Sequence, residues 1–284
     1  ACGHDFHTTA LLGVAKLLGR EREHIKGTVI LLFQPAEEAE HGGEKVVNTG
    51  MFEKYKIEKI FGLHTKQNMP VGTIAIAPGP FSAAVDRFLY TVKGMGCHGS
   101  APQTGLDPIP AAARLVGSLQ EIVSRRISPT ETAVISVTRF TSGTSWNIIP
   151  ETARLEGTVR TFNPKVREQI VKLMQAQAEG LEREGYQVEF TWIPGCPATN
   201  NDANLAELVR KEAMEEGFHV TLQHPEMGGE DFSCYQELVP GAFFHVGTGG
   251  KYPAHNSKFT VDPAALFGAS KLMSEIVKKA LKAS

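Results

Sequence analysis

The sequence predicts an α/β domain interrupted by a smaller α+β unit, and three observations carry that expectation. Short continuous apolar runs alternate with helical patterns toward both ends of the chain, whereas the middle stretch alternates apolar with polar residues. Clusters of Pro and Gly, at Pro78-Gly79-Pro80 and Pro194-Gly195-Cys196-Pro197, stand at the two changes of texture. The expected division is residues 1–79 and 195–284 for the α/β domain and 80–194 for the insert.

Taken in order, Phe6, Ala10, Leu11, Val14, Leu17 and Leu18 recur at helical spacing, with Gly19 as a stop. Gly27 to Phe33 is a short β-branched run of the kind a buried parallel strand needs, and Glu37 and Glu38 follow its end. Ile57 to Leu63 forms a second run that ends at His64, and Val71 to Ala77 a third. Such a pattern implies a sheet covered by helices on both faces, with ligands gathered at the carboxyl ends of its strands. In the insert, Val85 to Lys93, Thr132 to Phe140 and, less strictly, Arg154 to Phe162 alternate as half-exposed antiparallel strands do. Pro108 to Arg125 and Lys165 to Glu184 read as amphipathic helices, and Tyr186 to Ile193 as a fourth strand. Strand, helix, strand, strand, helix, strand is the order of a ferredoxin-like unit. After the second boundary, Asn204 to Gly217 is helical, Gly241 to Val246 a buried strand, and Pro263 to Leu281 a closing helix.

Composition narrows the class. With 42% hydrophobic and 21% charged residues the chain is an ordinary globular protein, and a net charge of −2 argues against nucleic acid or an anionic membrane as partner. No apolar run is long enough to span a bilayer. Four cysteines in 284 residues do not make a disulfide scaffold and point to free thiols in a reducing cytoplasm. The start, Ala1-Cys2-Gly3-His4-Asp5, has no initiator Met and no signal sequence, so the chain reads as a fragment.

Several residues carry candidate chemistry. Cys2 and His4, separated by one residue, suit zinc or another late first-row ion, but taken alone read more readily as a buried Cys beside a surface His. Asp5 and His7 are candidates for supporting or helix-capping groups. Glu37 and Glu38 follow Gln34-Pro35-Ala36; they are either a solvated acidic turn or a metal ligand paired with a general base. His64 at its strand end and His255 in Tyr252-Pro253-Ala254-His255-Asn256 are structural, or supply the imidazoles such a site needs. Gly94-Met95-Gly96-Cys97-His98-Gly99-Ser100 is a glycine-rich turn presenting His98; no GxGxxG opens a helix here, which counts against a dinucleotide loop. Asn147 and Arg160 lie in or beside apolar runs, and Arg160 is either a carboxylate clamp or an exposed strand residue. In Gly228-Gly229-Glu230-Asp231-Phe232 the acids line a site or cap the helix that follows.

In chain order, CGHDFHT, GTVILLFQPAEE, GLH, GCHGSAP with GLDPI, NIIP followed by GTVRT, GGEDF and PAHN cover nearly the whole sequence. Together they resemble the amidohydrolase branch of the aminoacylase and carboxypeptidase metallopeptidases. That branch includes hippurate hydrolases, N-acetyl-amino-acid and N-acetyldiaminopimelate deacetylases, and plant auxin-conjugate hydrolases. The resemblance implies a two-metal aminopeptidase-like catalytic domain interrupted by a dimerisation domain, and hydrolysis of N-acyl-L-amino acids of N-acetyl or N-benzoyl type. It implies two divalent ions (zinc, manganese, cobalt or nickel) on Cys2, His4, Glu38, His64 and His255, with Glu37 as general base. It further implies a homodimer in which His98 reaches the neighbouring subunit's site to stabilise the oxyanion, and substrate contacts from Asn147 and Arg160. Three departures stand out: the family's upstream segment is not in this chain, Cys97 stands where Gly is common, and Gln103 where relatives often carry His. The rival readings are a catalytically silent metal- or conjugate-binding protein on the same fold, a cysteine hydrolase using Cys2 and His4, and a structural zinc module.

Overall fold

Phe6, Ala10, Val14 and Leu18 fall on one stripe of a helix, and burying that stripe makes His4–Arg20 the first element of the chain. The computed structural model describes residues 2–38 and 42–282. Clustering of contacts divides the chain into two units, one of residues 1–81, 199–226 and 231–284, the other of residues 82–198 and 227–230.

The first unit is built on a mixed four-stranded sheet. Ile60–Lys66 pairs in parallel with Gly241–Gly247, which pairs antiparallel with Thr73–Ile76, which pairs in parallel with His219–Leu222. Side chains alternate along the Gly241–Gly247 strand. Ala242, Phe244 and Val246 meet one face, packed by the helices His4–Arg20, Ala203–Glu215 and Ala265–Lys282. Phe243 turns to the other face, where it joins Phe52, Phe81, Phe232 and Tyr235. Parity on the neighbouring strand follows: Phe61 and Leu63 pack with the helices, and Ile60 with the aromatic cluster. Gly62 is required on that second face, because a Cβ there would lie 2.7 Å from the Phe243 ring and 2.8 Å from Phe232.

Two expectations fail here. Residues 28–36 form no strand: Val29 and Leu31 lean on one core and Leu32 on another, while Phe33 is exposed. The apolar run is extended packing without a ladder, and a strand is a property of a pair rather than of a run. His64 also does not end its strand; it is the fifth of seven residues in Ile60–Lys66. Strand-end placement therefore is not what brings Glu37, Glu38 and His64 near one another. The His219–Leu222 strand, too short and polar to stand out, is an edge strand absent from the expected elements.

In the second unit the sheet runs Ala133–Ser142, Thr152–Thr161, Ala84–Lys93, Gln187–Ile193, all antiparallel. With helices Pro108–Glu121 and Pro164–Arg183 on the crossovers, this is the ferredoxin-like order. Phe88, Tyr90, Val92, Leu155 and Val159 face a core completed by Leu115, Leu119, Ile170 and Met174. Both helices start on a side-chain cap followed by Pro: Asp107 accepts from the Ile109 N–H and Asn163 from the Lys165 N–H, each at 2.9 Å. No disulfide joins the four cysteines, and no helix among the described residues is long and apolar enough to cross a membrane.

One buried ion pair ties this unit together. Asp86 is 1% exposed and accepts from Arg167 Nε at 2.8 Å, from Arg167 Nη2, and from the Gly195 N–H at 3.1 Å. Removing the carboxylate strands a guanidinium and a peptide N–H, so Asp86→Ala should destabilise the unit by about 3 kcal/mol. Thermal melting followed by circular dichroism checks this; an unchanged transition would show the pair to be idle.

Candidate metal centre

The centre is assembled from four chain segments of the first unit. Gly3 opens the first helix in the left-handed region, φ 89°, and a Cβ on it would lie 2.6 Å from Thr65 Oγ1. Only glycine fits between Cys2 and His4 there. Thr65 fastens the helix start to the strand: its N–H donates to His7 Nε2 at 3.0 Å and its hydroxyl to the Cys2 carbonyl at 3.3 Å. His7 is thus a structural acceptor. Asp5, exposed in the first helical turn, caps nothing with its side chain and lends its carbonyl to Thr9 Oγ1 at 2.7 Å.

Glu37 and Glu38 follow a turn at Ala36, whose φ of 59° is unusual for a residue with a Cβ; His255 shares that trait at 65°. Strained backbone of this kind persists where its surroundings over-determine it, most often at functional sites.

Glu38 lies between two imidazoles, Oε1 at 3.6 Å from His4 Nε2 and Oε2 at 3.6 Å from His255 Nε2. Cys2 Sγ is 3.4 Å from His64 Nε2. Donor atoms of Cys2, His4 and His64 fall within 4.8 Å of one another, as do those of Cys2, Glu38 and His255, and those of His4, Glu37 and Glu38. The three groups overlap through Cys2, His4 and Glu38. His64 Nδ1 faces the Thr65 carbonyl at 2.8 Å, which assigns its proton to Nδ1 and leaves the Nε2 lone pair toward Cys2. Burial, opposed by that hydrogen bond and reinforced by nearby His4, holds the His64 pKa below the ordinary imidazole value. Burial, with His64 and His4 adding, pushes His7 down to about 2. Neutral imidazoles are the form that ligates metal.

This donor set fits divalent cations. Around a tetrahedral ion with bonds of about 2.0–2.3 Å, neighbouring donors stand about 3.3–3.8 Å apart. The observed spacings have that size, and thiolate, imidazole and carboxylate together suit late first-row ions.

The remaining candidates belong to the second unit. His98 and Asn147 come together: Cys97 and His98 pair with Ile149 and Ile148, and the Gly99 N–H donates to the Asn147 carbonyl at 2.8 Å. His98 Nδ1 accepts the Ser100 N–H at 3.2 Å and lies 2.7 Å from its hydroxyl, so the ring proton sits on Nε2. Arg160 lies apart from them near the far end of the Thr152–Thr161 strand, where its Nε donates to Thr158 Oγ1 at 3.1 Å.

Asp231 neither caps the helix that follows it nor presents its carboxylate to solvent; it reaches the first turn of the Gly42–Val47 helix instead. It is 2% exposed, and Gln34 Nε2 donates to its two oxygens at 2.8 and 2.7 Å while the Gly43 N–H donates at 2.8 Å. Tyr235 OH donates to Gln34 Oε1. His245, opposite His64 in register, likewise escaped the sequence reading; its Nδ1–H donates to Gln223 Oε1 at 2.8 Å. A single Gln or His in or beside an apolar run carries no signal of such long-range pairing.

Comparison with known proteins fits this geometry. The model of peptidase family M20/M25/M40 matches residues 1–279. An N-acetylcysteine deacetylase of Bacillus subtilis (strain 168) is 43% identical over 277 residues, spanning 97% of this chain and 72% of that protein. An N-acetyldiaminopimelate deacetylase of Bacillus pumilus is 35% identical over 282 residues, spanning 98% of this chain and 74% of that protein. The crystal structure of Bacillus subtilis YXEP, described as a dinuclear metal-binding peptidase of the M20 family, superposes with a TM-score of 0.87 at 39% identity. It covers all of this chain and 73% of that one.

Two buried imidazoles make the metal-free fold acid-sensitive. Burial lowers the pKa of His7 and of His245, the latter helped by nearby Lys66 and His64. Below the ordinary value of about 6.5 the unfolded chain binds protons that the folded chain refuses, so stability is full above that pH and is lost as pH falls. Each imidazole should contribute a slope approaching about 1.4 kcal/mol per pH unit. Urea titrations of the metal-free protein at pH 7.5, 6.5 and 5.5 measure it, and a flat profile would contradict the burial argument.

Proposed function

From the fact that the chain belongs to peptidase family M20/M25/M40, we propose that it is the amidohydrolase that releases the acyl group, N-acetyl or N-benzoyl, from N-acyl-L-amino acids. The observation that carries this reading is Glu38 lying between His4 and His255, with Glu37 grouped with His4 and Glu38, and Cys2 and His64 in a second group that shares His4. Cys2, His4, Glu38, His64 and His255 would hold two divalent ions. The thiolate favours zinc, cobalt or nickel, and the carboxylates admit manganese. When bound, such ions polarise the scissile carbonyl and acidify water.

Glu37 takes a proton from the attacking water as its oxygen bonds the carbonyl carbon. It returns that proton to the amine as the C–N bond breaks, giving a carboxylate and a free amino acid. His98, with its proton on Nε2, is a hydrogen-bond donor suited to the oxyanion of the tetrahedral intermediate. We assign it to the site of a second subunit, in a homodimer formed through the ferredoxin-like unit. Exposure supports this: His98 is exposed, and nearby Trp146 is 96% exposed beside exposed Ile148, apolar surface of the kind that anchors partners. Asn147, next to His98, and Arg160 contact the substrate, Arg160 through its carboxylate.

Glu37→Gln should retain metal content by elemental analysis while kcat for N-acetyl amino acids falls by about 10²–10⁴; near-normal turnover would exclude Glu37 as base. His98→Ala should lower kcat by about 10²–10³ with metal retained. Mixing the two inactive variants under subunit exchange should restore activity, and its absence in mixed dimers would exclude a shared site. A panel of N-acetyl, N-benzoyl and indole-acetyl amino acids, with chelation and metal add-back, identifies substrate and ion.

A further inference from the structure

We infer that Asp231 is a positioning residue that clamps the segment carrying Glu37 and Glu38 at both of its ends. Its carboxylate receives Gln34 Nε2, three residues before Glu37, and the peptide N–H of Gly43, five residues after Glu38. A single buried side chain, 188 residues away along the chain from Gly43, thus ties together the two ends of the stretch that presents both glutamates.

The surroundings are built for this contact. A Cβ on Gly43 would lie 2.5 Å from the Asp231 carbonyl, and one on Gly42 would lie 1.8 Å from the Pro35 carbonyl. The chain can return past Asp231 only because both positions are glycine. Gln34 is held by both ends of its amide: Nε2 donates to Asp231, so Oε1 is the atom that accepts the Tyr235 hydroxyl. Tyr235 is itself fixed between the rings of Phe52 and Phe232. The order of support runs from an aromatic core through Tyr235 and Gln34 to Asp231, and from Asp231 to Gly43. The Gly42 N–H also closes the segment on the Ala36 carbonyl at 3.3 Å; without Asp231 that closed loop loses its anchor to the core, and Glu38 is released to move from His4 and His255, to which it stands at 3.6 Å. The side chain does not cap its own helix, since Ser233–Gln236 starts without a side-chain cap; it takes a first-turn N–H of the Gly42–Val47 helix, the element that follows the glutamates.

The role rests on the metallohydrolase reading for its catalytic consequence, but not for the clamp itself. The network can be inverted. In Gln34→Glu two carboxylates face each other; in Asp231→Asn an amide N–H₂ meets Gln34 Nε2 or the Gly43 N–H. In the double variant the introduced asparagine would donate to the introduced glutamate and accept from Gly43. That glutamate would still accept from Tyr235, so each partner keeps a hydrogen bond; the one between positions 34 and 231 has donor and acceptor exchanged, and the second contact between them, at 2.7 Å, is given up.

Hydrogen exchange of the metal-free proteins should therefore speed up selectively at residues 34, 36–38 and 42–43 in each single variant and return in the double variant. Zinc affinity by calorimetry should fall by about 10–100-fold in the singles and recover in the double. For N-acetyl amino acids with saturating zinc, kcat should drop by about 10²-fold with KM nearly constant. Unchanged exchange and affinity in Asp231→Asn would overturn the clamp, as would a double variant that melts like the parent but regains neither. If Gln34→Glu fails to fold, Asp231→Asn, which is isosteric, decides alone. Exchange that responds as expected in a protein that binds no zinc, or hydrolyses none of the substrates, would leave the clamp standing and remove the metallohydrolase reading.

Discussion

Thiol, imidazole and carboxylate donors crowd together at the cost of one another's solvation, and the centre around Glu38 is a place where the fold holds them together. Cys2 and His255 are grouped with Glu38, His4 with both glutamates, and His64 with Cys2 and His4, while Glu38 stands 3.6 Å from each of two imidazoles, beyond ordinary hydrogen-bond length. An isolated chain would relax this arrangement by moving apart or by taking up protons. Here the backbone is bound at the segments that contribute Cys2, His64 and the glutamates, and burial opposes protonation of His64. The resulting concentration of donor groups is what a pair of divalent cations would neutralise.

Two kinds of support meet at the site. Strand parity supplies the first: on Ile60–Lys66 the residues Phe61 and Leu63 engage the helices, and this turns His64 to the opposite face, toward His245 and Cys2. Tethers supply the second. Thr65 holds the helix start through His7 and the Cys2 carbonyl, and Asp231 holds the glutamate segment. Neither set of tethers touches the candidate ligand atoms of His4 or Glu38. Both work by limiting where the backbone can go, the usual way in which a ligand shell is supported from outside.

Much of this was legible in the residues themselves. The stripe of Phe6, Ala10, Val14 and Leu18 specifies a helix because a 3.6-residue repeat has no other use. The alternation in Ala84–Lys93 and the Pro108 and Pro164 starts similarly encode the ferredoxin-like unit, where each side chain answers to its immediate neighbours. The run from Gly27 to Phe33 misled for the converse reason: its composition is that of a strand, but a strand also needs a partner, and composition does not supply one. His64 reads as a strand end because the apolar run stops there, while hydrogen bonding to Gly241–Gly247 carries the strand on to Lys66.

Local pattern thus determined the helices, most strands and the chemical types of the candidate ligands, since periodicity and residue chemistry are properties of adjacent positions. Only the tertiary structure decided that Glu38 stands between His4 and His255, residues 34 and 217 positions away in the chain. It alone decided that His7 accepts a peptide N–H and that Asp231 faces Gln34 and Gly43 instead of solvent. Those pairings depend on long-range closure of the chain around a common core, and the residues that make them look no different in sequence from polar residues at the surface.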